Sequence, residues 1–149
     1  MFNKHYDEVE VGEEWVSGGR TITEADIVNF AGVSGDFYPL HMDREYAGNT
    51  PFGKPIAHGM LVLSIATGLM NFTPGIIAAF YGMDNIRFVR PTFIGDTIKV
   101  RMKADDKQER KNGTGVIACK TEIVNQNDET VIAGTFRMLV NQAPVGAEV

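Results

Sequence analysis

The chain is poor in cysteine: Cys119 is the single one among 149 residues. One thiol excludes an intrachain disulfide framework and fits a reducing compartment. Positive charge is also scarce. Fourteen Lys and Arg stand against 19 Asp and Glu, a net −5, and no basic tract occurs. Phosphate neutralisation needs clustered cations, so no nucleic-acid partner is expected. Long hydrophobic runs are missing as well. The greasiest stretch, residues 59–70, is broken by Ser64, Thr67 and Gly68 and falls short of the ~20 residues a bilayer span requires. Residues 1–15 are charged and carry Trp15, without the apolar segment of a signal peptide. A soluble cytoplasmic protein with no membrane partner is the expectation. Histidine is rare too, and the three His and one Cys show no zinc-ligand spacing, so no metal is expected. No dinucleotide or P-loop glycine motif is present. Gly32-Val33-Ser34-Gly35 falls one residue short of the nucleophile elbow of serine hydrolases.

What remains is ordinary globular material. The length suits one domain over residues 1–149, with 142–149 as a loose tail. Thr23 with acidic residues behind it reads as a helix N-cap, and Ile27, Phe30 and Ala31 form an apolar stripe that Gly32 ends. Residues 33–57 are rich in Gly and Pro and predict a long irregular stretch, with a helical turn at 43–47; such stretches are usually functional. From His58 or Gly59 to about Phe72 the pattern predicts a helix that is apolar almost all round, hence buried on every side. Residues 77–90, 96–109, 115–125 and 129–140 read as strands, and Val11–Arg20 as an earlier one. The fold class is α+β: a curled antiparallel sheet wrapped around one long central helix.

Two places carry chemistry. Asp36 and His41 lie five residues apart inside the irregular stretch, where Pro39 argues against regular helix. A carboxylate and an imidazole can exchange a proton near neutral pH. The alternative is a turn-capping Asp beside a loop His. The His58-Gly59 pair opens the buried helix, where the first N–H groups lack intrahelical partners and the helix dipole favours negative charge. Gly59 suits close approach of a substrate oxygen to the backbone, as an oxyanion site for a thioester enolate requires. It equally suits tight packing at the helix start. Met60 and Met70 read as core filler.

The segment Gly35-Asp36-Phe37-Tyr38-Pro39-Leu40-His41, followed after five residues by Ala47, resembles the signature of the MaoC-like (R)-specific enoyl-CoA hydratases. Their pattern is Gly-Asp-x-Asn-Pro-aliphatic-His-x5-Ala. Pro55–Leu61 resembles the family's approach to its central helix, and Arg87–Thr97 its strand and turn. The likeness extends over roughly residues 8–140.

The resemblance implies a hot-dog fold and a homodimer or assembly of dimers, with acyl-CoA threading a tunnel at the dimer interface. It implies Asp36 and His41 as the catalytic pair, Gly59 as oxyanion donor, and Ser64 as a helix serine lining the site. His58 and Tyr38 join them as substrate-binding residues. No separate cofactor is implied, since coenzyme A arrives as part of the thioester substrate. Tyr38 departs from the family's Asn: it is larger and offers a hydroxyl in place of an amide. Together these residues predict reversible hydration of a trans-2-enoyl-CoA to a (3R)-3-hydroxyacyl-CoA. The rivals are a hot-dog thioesterase and a non-catalytic acyl-thioester-binding subunit. Many such thioesterases carry an acid on the central helix, and residues 58–72 hold none. Phe37, Tyr38 and Phe52 are candidates for shaping the acyl pocket. Arg87 and Arg90 read as solvated strand residues or as contacts for CoA phosphates.

Overall fold

The computed structural model describes residues 2–146. Strands β1 (Glu14–Val16) and β2 (Arg20–Thr21) lead into helix α1 (Glu24–Ser34). Two short helices, α2 (Pro39–Met42) and α3 (Arg44–Gly48), precede helix α4 (Gly59–Leu69). Four long strands follow: β3 (Ile77–Phe88), β4 (Thr97–Glu109), β5 (Thr114–Val124) and β6 (Thr130–Asn141). The sheet order is β1-β4-β5-β6-β3, with β2 also on β4, and all pairings are antiparallel. This is the α+β hot-dog arrangement, one helix against a curled sheet.

Alternation in β4 explains the packing. Ile98, Val100, Met102 and Ala104 are buried, while Lys99 and Lys103 face out. Their inner face, with Ile117, Ile123, Phe136 and Met138, meets Leu61, Val62, Ile65 and Ala66 of α4 in one core. Each such side chain contributes roughly 1.5–3 kcal/mol when fully removed from water.

Helix α4 departs from its expected burial. Met60, Ser64 and Gly68, spaced by four, form an outward stripe, and Met60 is 56% exposed. An apolar residue and two small ones conceal this face in the sequence. The helix also stops at Leu69, before Phe72, because Asn71 takes a left-handed backbone with φ 48°.

The lead-in to the Asp36–His41 segment differs as well. Helix α1 passes Gly32 and ends at Ser34. Its cap is Gly35, at φ 76°, whose N–H donates to the Ala31 carbonyl. Thr23 does cap the other end: it accepts from the Asp26 N–H, while the Asp26 carboxylate accepts from the Thr23 N–H. Pro39 starts a helix rather than preventing one. It occupies the first turn of α2, where a missing N–H costs nothing. The tail is tied down at its start: the Gln142 N–H donates to the Gly113 carbonyl and the Ala143 N–H to the Asp7 carboxylate. Residues 147–149 of the expected tail lie outside the described residues. Among the described residues no helix is long and apolar enough to cross a membrane.

Candidate active site

Three separated sequence motifs meet at the start of α4. The Ala57 N–H donates to the Thr92 carbonyl at 2.8 Å, and Ile56 bridges Phe93. The first motif reaches the same place through two imidazoles. His41 lies on α2, and its Nδ1 is 2.7 Å from the Ile56 carbonyl. A carbonyl oxygen only accepts, so Nδ1 carries the hydrogen and Nε2 is left free for chemistry. His58, the cap of α4, places Nε2 2.9 Å from the main-chain carbonyl of Asp36.

Asp36 follows Gly35 in an exposed turn. Its N–H donates to the Ser34 hydroxyl, and its carboxylate accepts from the Tyr38 N–H at 3.2 Å. The turn aims the acid toward the imidazoles: donor atoms of Asp36, His41 and His58 all lie within 4.8 Å of one another. No direct hydrogen bond joins the Asp36 carboxylate to His41.

Three potential ligands this close raise the question of a metal. The rings of His41 and His58 stack at 3.9 Å between centroids and 28° between planes. Imidazole lone pairs lie in the ring plane, so nearly parallel stacked rings direct them side by side rather than onto one ion at ~2 Å.

A cavity of about 580 Å³ opens beside His41 and Gly59. Phe52, Ile56, Met60, Val62, Phe88 and Ile132 give it an apolar wall, and Arg90 also lines it. Phe52 lines this cavity, whereas Phe37 is exposed and stands outside the lining. Met60 lines this cavity and is not core filler, unlike the fully buried Met70. Phe88 had no signal of its own in the sequence; only the approach of β3 to α4 brings it here.

The other expected site residues fall in different places. His58 is 2% exposed and stands outside the cavity lining. Ser64 is on the outward stripe of α4, donates to the Met60 carbonyl, and borders a shallow depression with Arg20. It is not gathered with Asp36 and His41. Tyr38 stands edge-on to His41 at 6.1 Å between ring centroids and shares a 3.1 Å hydrogen bond with the Tyr46 hydroxyl. Arg87 turns back to the Ile86 carbonyl, and Arg90 donates to the Thr130 carbonyl. Cys119 is buried in β5, and burial pushes its thiol up to about 12, which removes it as a nucleophile.

His41 and Gly59 line the cavity, and Asp36 stands close to His41. A profile of the MaoC like domain matches residues 8–126. The chain belongs to the MaoC-like dehydratase family. It is 32% identical to an (R)-specific enoyl-CoA hydratase of Aeromonas caviae over 127 residues, covering 85% of this chain and 91% of that one. Protein MaoC of Klebsiella aerogenes is 43% identical over 108 residues, 71% of this chain. The match spans only about a third (32%) of that longer protein. Among solved structures, a monoamine oxidase regulatory protein from Archaeoglobus superposes with a TM-score of 0.88 at 40% identity, covering 95% of this chain and 96% of that one. Within this MaoC-like frame, Tyr38 is the position that departs from the family signature, and its hydroxyl is occupied by Tyr46.

Proposed function

We propose that this MaoC-like protein hydrates a trans-2-enoyl-CoA reversibly to a (3R)-3-hydroxyacyl-CoA. The observation that carries the reading is the placement of Asp36 within 4.8 Å of His41, with His41 and Gly59 both on the apolar cavity. The acyl chain enters that cavity, and the thioester carbonyl meets the Gly59 N–H at the start of α4. Asp36 and His41 hold one water between them, with His41 engaging it through Nε2. Asp36 takes a proton as the water oxygen bonds to Cβ. The π electrons move toward the thioester oxygen, where the amide and the helix N-terminus stabilise the negative charge. The pair then returns a proton to Cα on the same face, which gives syn addition.

Residues 59–69 of the central helix contain no carboxylate, which favours hydration over a thioesterase with its acid on that helix. The reading includes a homodimer. Strand β3 lies at the end of the sheet and presents exposed Tyr81, Met83 and Phe88, which suits antiparallel pairing with a second copy.

The test is hydration of crotonyl-CoA and longer enoyl-CoAs, followed by loss of enoyl absorbance with thiol release measured in parallel. Asp36→Asn lowers kcat by about 10²–10⁴-fold. Thiol release without hydration, or an Asp36→Asn protein of near-normal activity, rejects the assignment.

A further inference from the structure

His58 has three properties that a core residue does not need together. It is 2% exposed, its Nε2 bonds the Asp36 carbonyl, and its Nδ1 has no hydrogen-bond partner. Leaving a buried acceptor unpaired destabilises the fold. A phenylalanine would fill the space without that cost. What histidine adds is the Nε2–H that reaches Asp36.

Two rings pack against the His58 imidazole. Phe30 packs against it at 4.9 Å between centroids and 60° between planes, and His41 stacks on it at 3.9 Å. His41 is thereby held twice. The Ile56 carbonyl fixes the direction of its ring nitrogens, and the His58 face fixes the ring's tilt. Asp36 lies on the turn after α1, and His41 on α2. His58 touches both, and it directly precedes Gly59 on α4.

We propose that His58 is a positioning residue: its one ring ties the Asp36 turn, the His41 imidazole and the start of α4 into a single geometry. It does so as the Nε2–H tautomer, since the Asp36 carbonyl must receive a hydrogen, while His41 is the Nδ1–H tautomer. The catalytic consequence rests on the hydration reading above; the tautomers and the ring contacts do not. Misplacing a reacting group by about 1 Å can cost on the order of 10²-fold in rate, so the role falls on kcat rather than on substrate capture.

Three variants separate the two contacts. His58→Gln retains an amide donor for Asp36 without the ring, His58→Phe retains the ring without the donor, and His58→Ala loses both. The expected losses in kcat are about tenfold for each of the first two and about 10²-fold for the third, with KM within about threefold of wild type. In parallel, 15N NMR of histidine-labelled wild type reads both tautomers, and His58→Ala is expected to give a mixed His41 population.

A folded His58→Ala protein with kcat within about twofold of wild type overturns the proposal, as does activity that falls only with the folded fraction. If the variants do not fold, the wild-type spectrum decides alone, and an Nδ1–H tautomer at His58 or an Nε2–H tautomer at His41 overturns it. Wild type without hydratase turnover rejects the enzymatic reading instead, and the tautomers still report on the ring arrangement.

Discussion

The ring of Phe88 lies on the bare α-carbon of Gly59: a β-carbon built there would stand 2.3 Å from Phe88 Cε1 and 2.5 Å from Cδ1. The end of β3 and the start of α4 touch because one of them has no side chain. The same contact forms part of the cavity wall beside His41. Gly59 thus has a packing role that is independent of any use of its N–H.

Gly59→Ala forces Phe88 aside. Overpacking of this kind costs about 1–3 kcal/mol, read as a lower urea midpoint. Phe88→Ala alone costs less, because Phe88 is 56% exposed. The double variant regains most of the loss, since the two residues share one contact and their effects are not additive. Strict additivity across the four proteins is the result that rejects this packing.

Tyr38 and Tyr46 share a hydrogen bond, and that bond, followed by the charge of Tyr38, raises the Tyr46 phenol above its usual 10.0. Tyr38→Phe removes both causes. The Tyr46 step of the tyrosinate titration, identified by its loss in Tyr46→Phe, is then expected at lower pH in Tyr38→Phe than in wild type. An unchanged Tyr46 step shows that the two hydroxyls do not pair in solution.

Cys119 gives an alkaline signature. Burial first, and the Asp105 charge second, raise its thiol from 9.0 to about 12. The unfolded chain releases this proton above about pH 9, whereas the folded chain holds it until about pH 12. The unfolded state therefore binds fewer protons in that window, and stability falls as pH rises, by up to ~1.4 kcal/mol per pH unit. Below the unfolded pKa the thiol contributes no slope. Cys119→Ala costs some packing at neutral pH, and its deficit relative to wild type narrows as urea unfolding is repeated at increasing pH above about 9. A deficit that stays constant with pH is the contrary outcome.

The strands were legible because their signal is local. Alternation from Ile98 to Met102, and turn residues such as Asn112-Gly113, set β4, β5 and β6 to within a residue or two of their observed ends. Helix ends were less legible. Whether Gly32 or Gly35 closes α1, and where α4 stops, depends on which residue adopts a left-handed backbone, and both Gly and Asn can do so. The outer face of α4 was invisible because Met60 is apolar whether it lies in a core or on a cavity.

By itself the sequence determined the α+β class and the family through three ordered motifs, and it singled out Asp36, His41 and Gly59 as candidates, since each is a matter of residue type and spacing along the chain. Only the tertiary structure decided which side chains meet. It set His58 against both the Asp36 carbonyl and the His41 ring, turned Ser64 to the outer face, and brought Phe88 onto Gly59. Those relationships join residues 17 to 29 positions apart in the sequence, and spacing along a chain carries no information about the direction in which a distant side chain points.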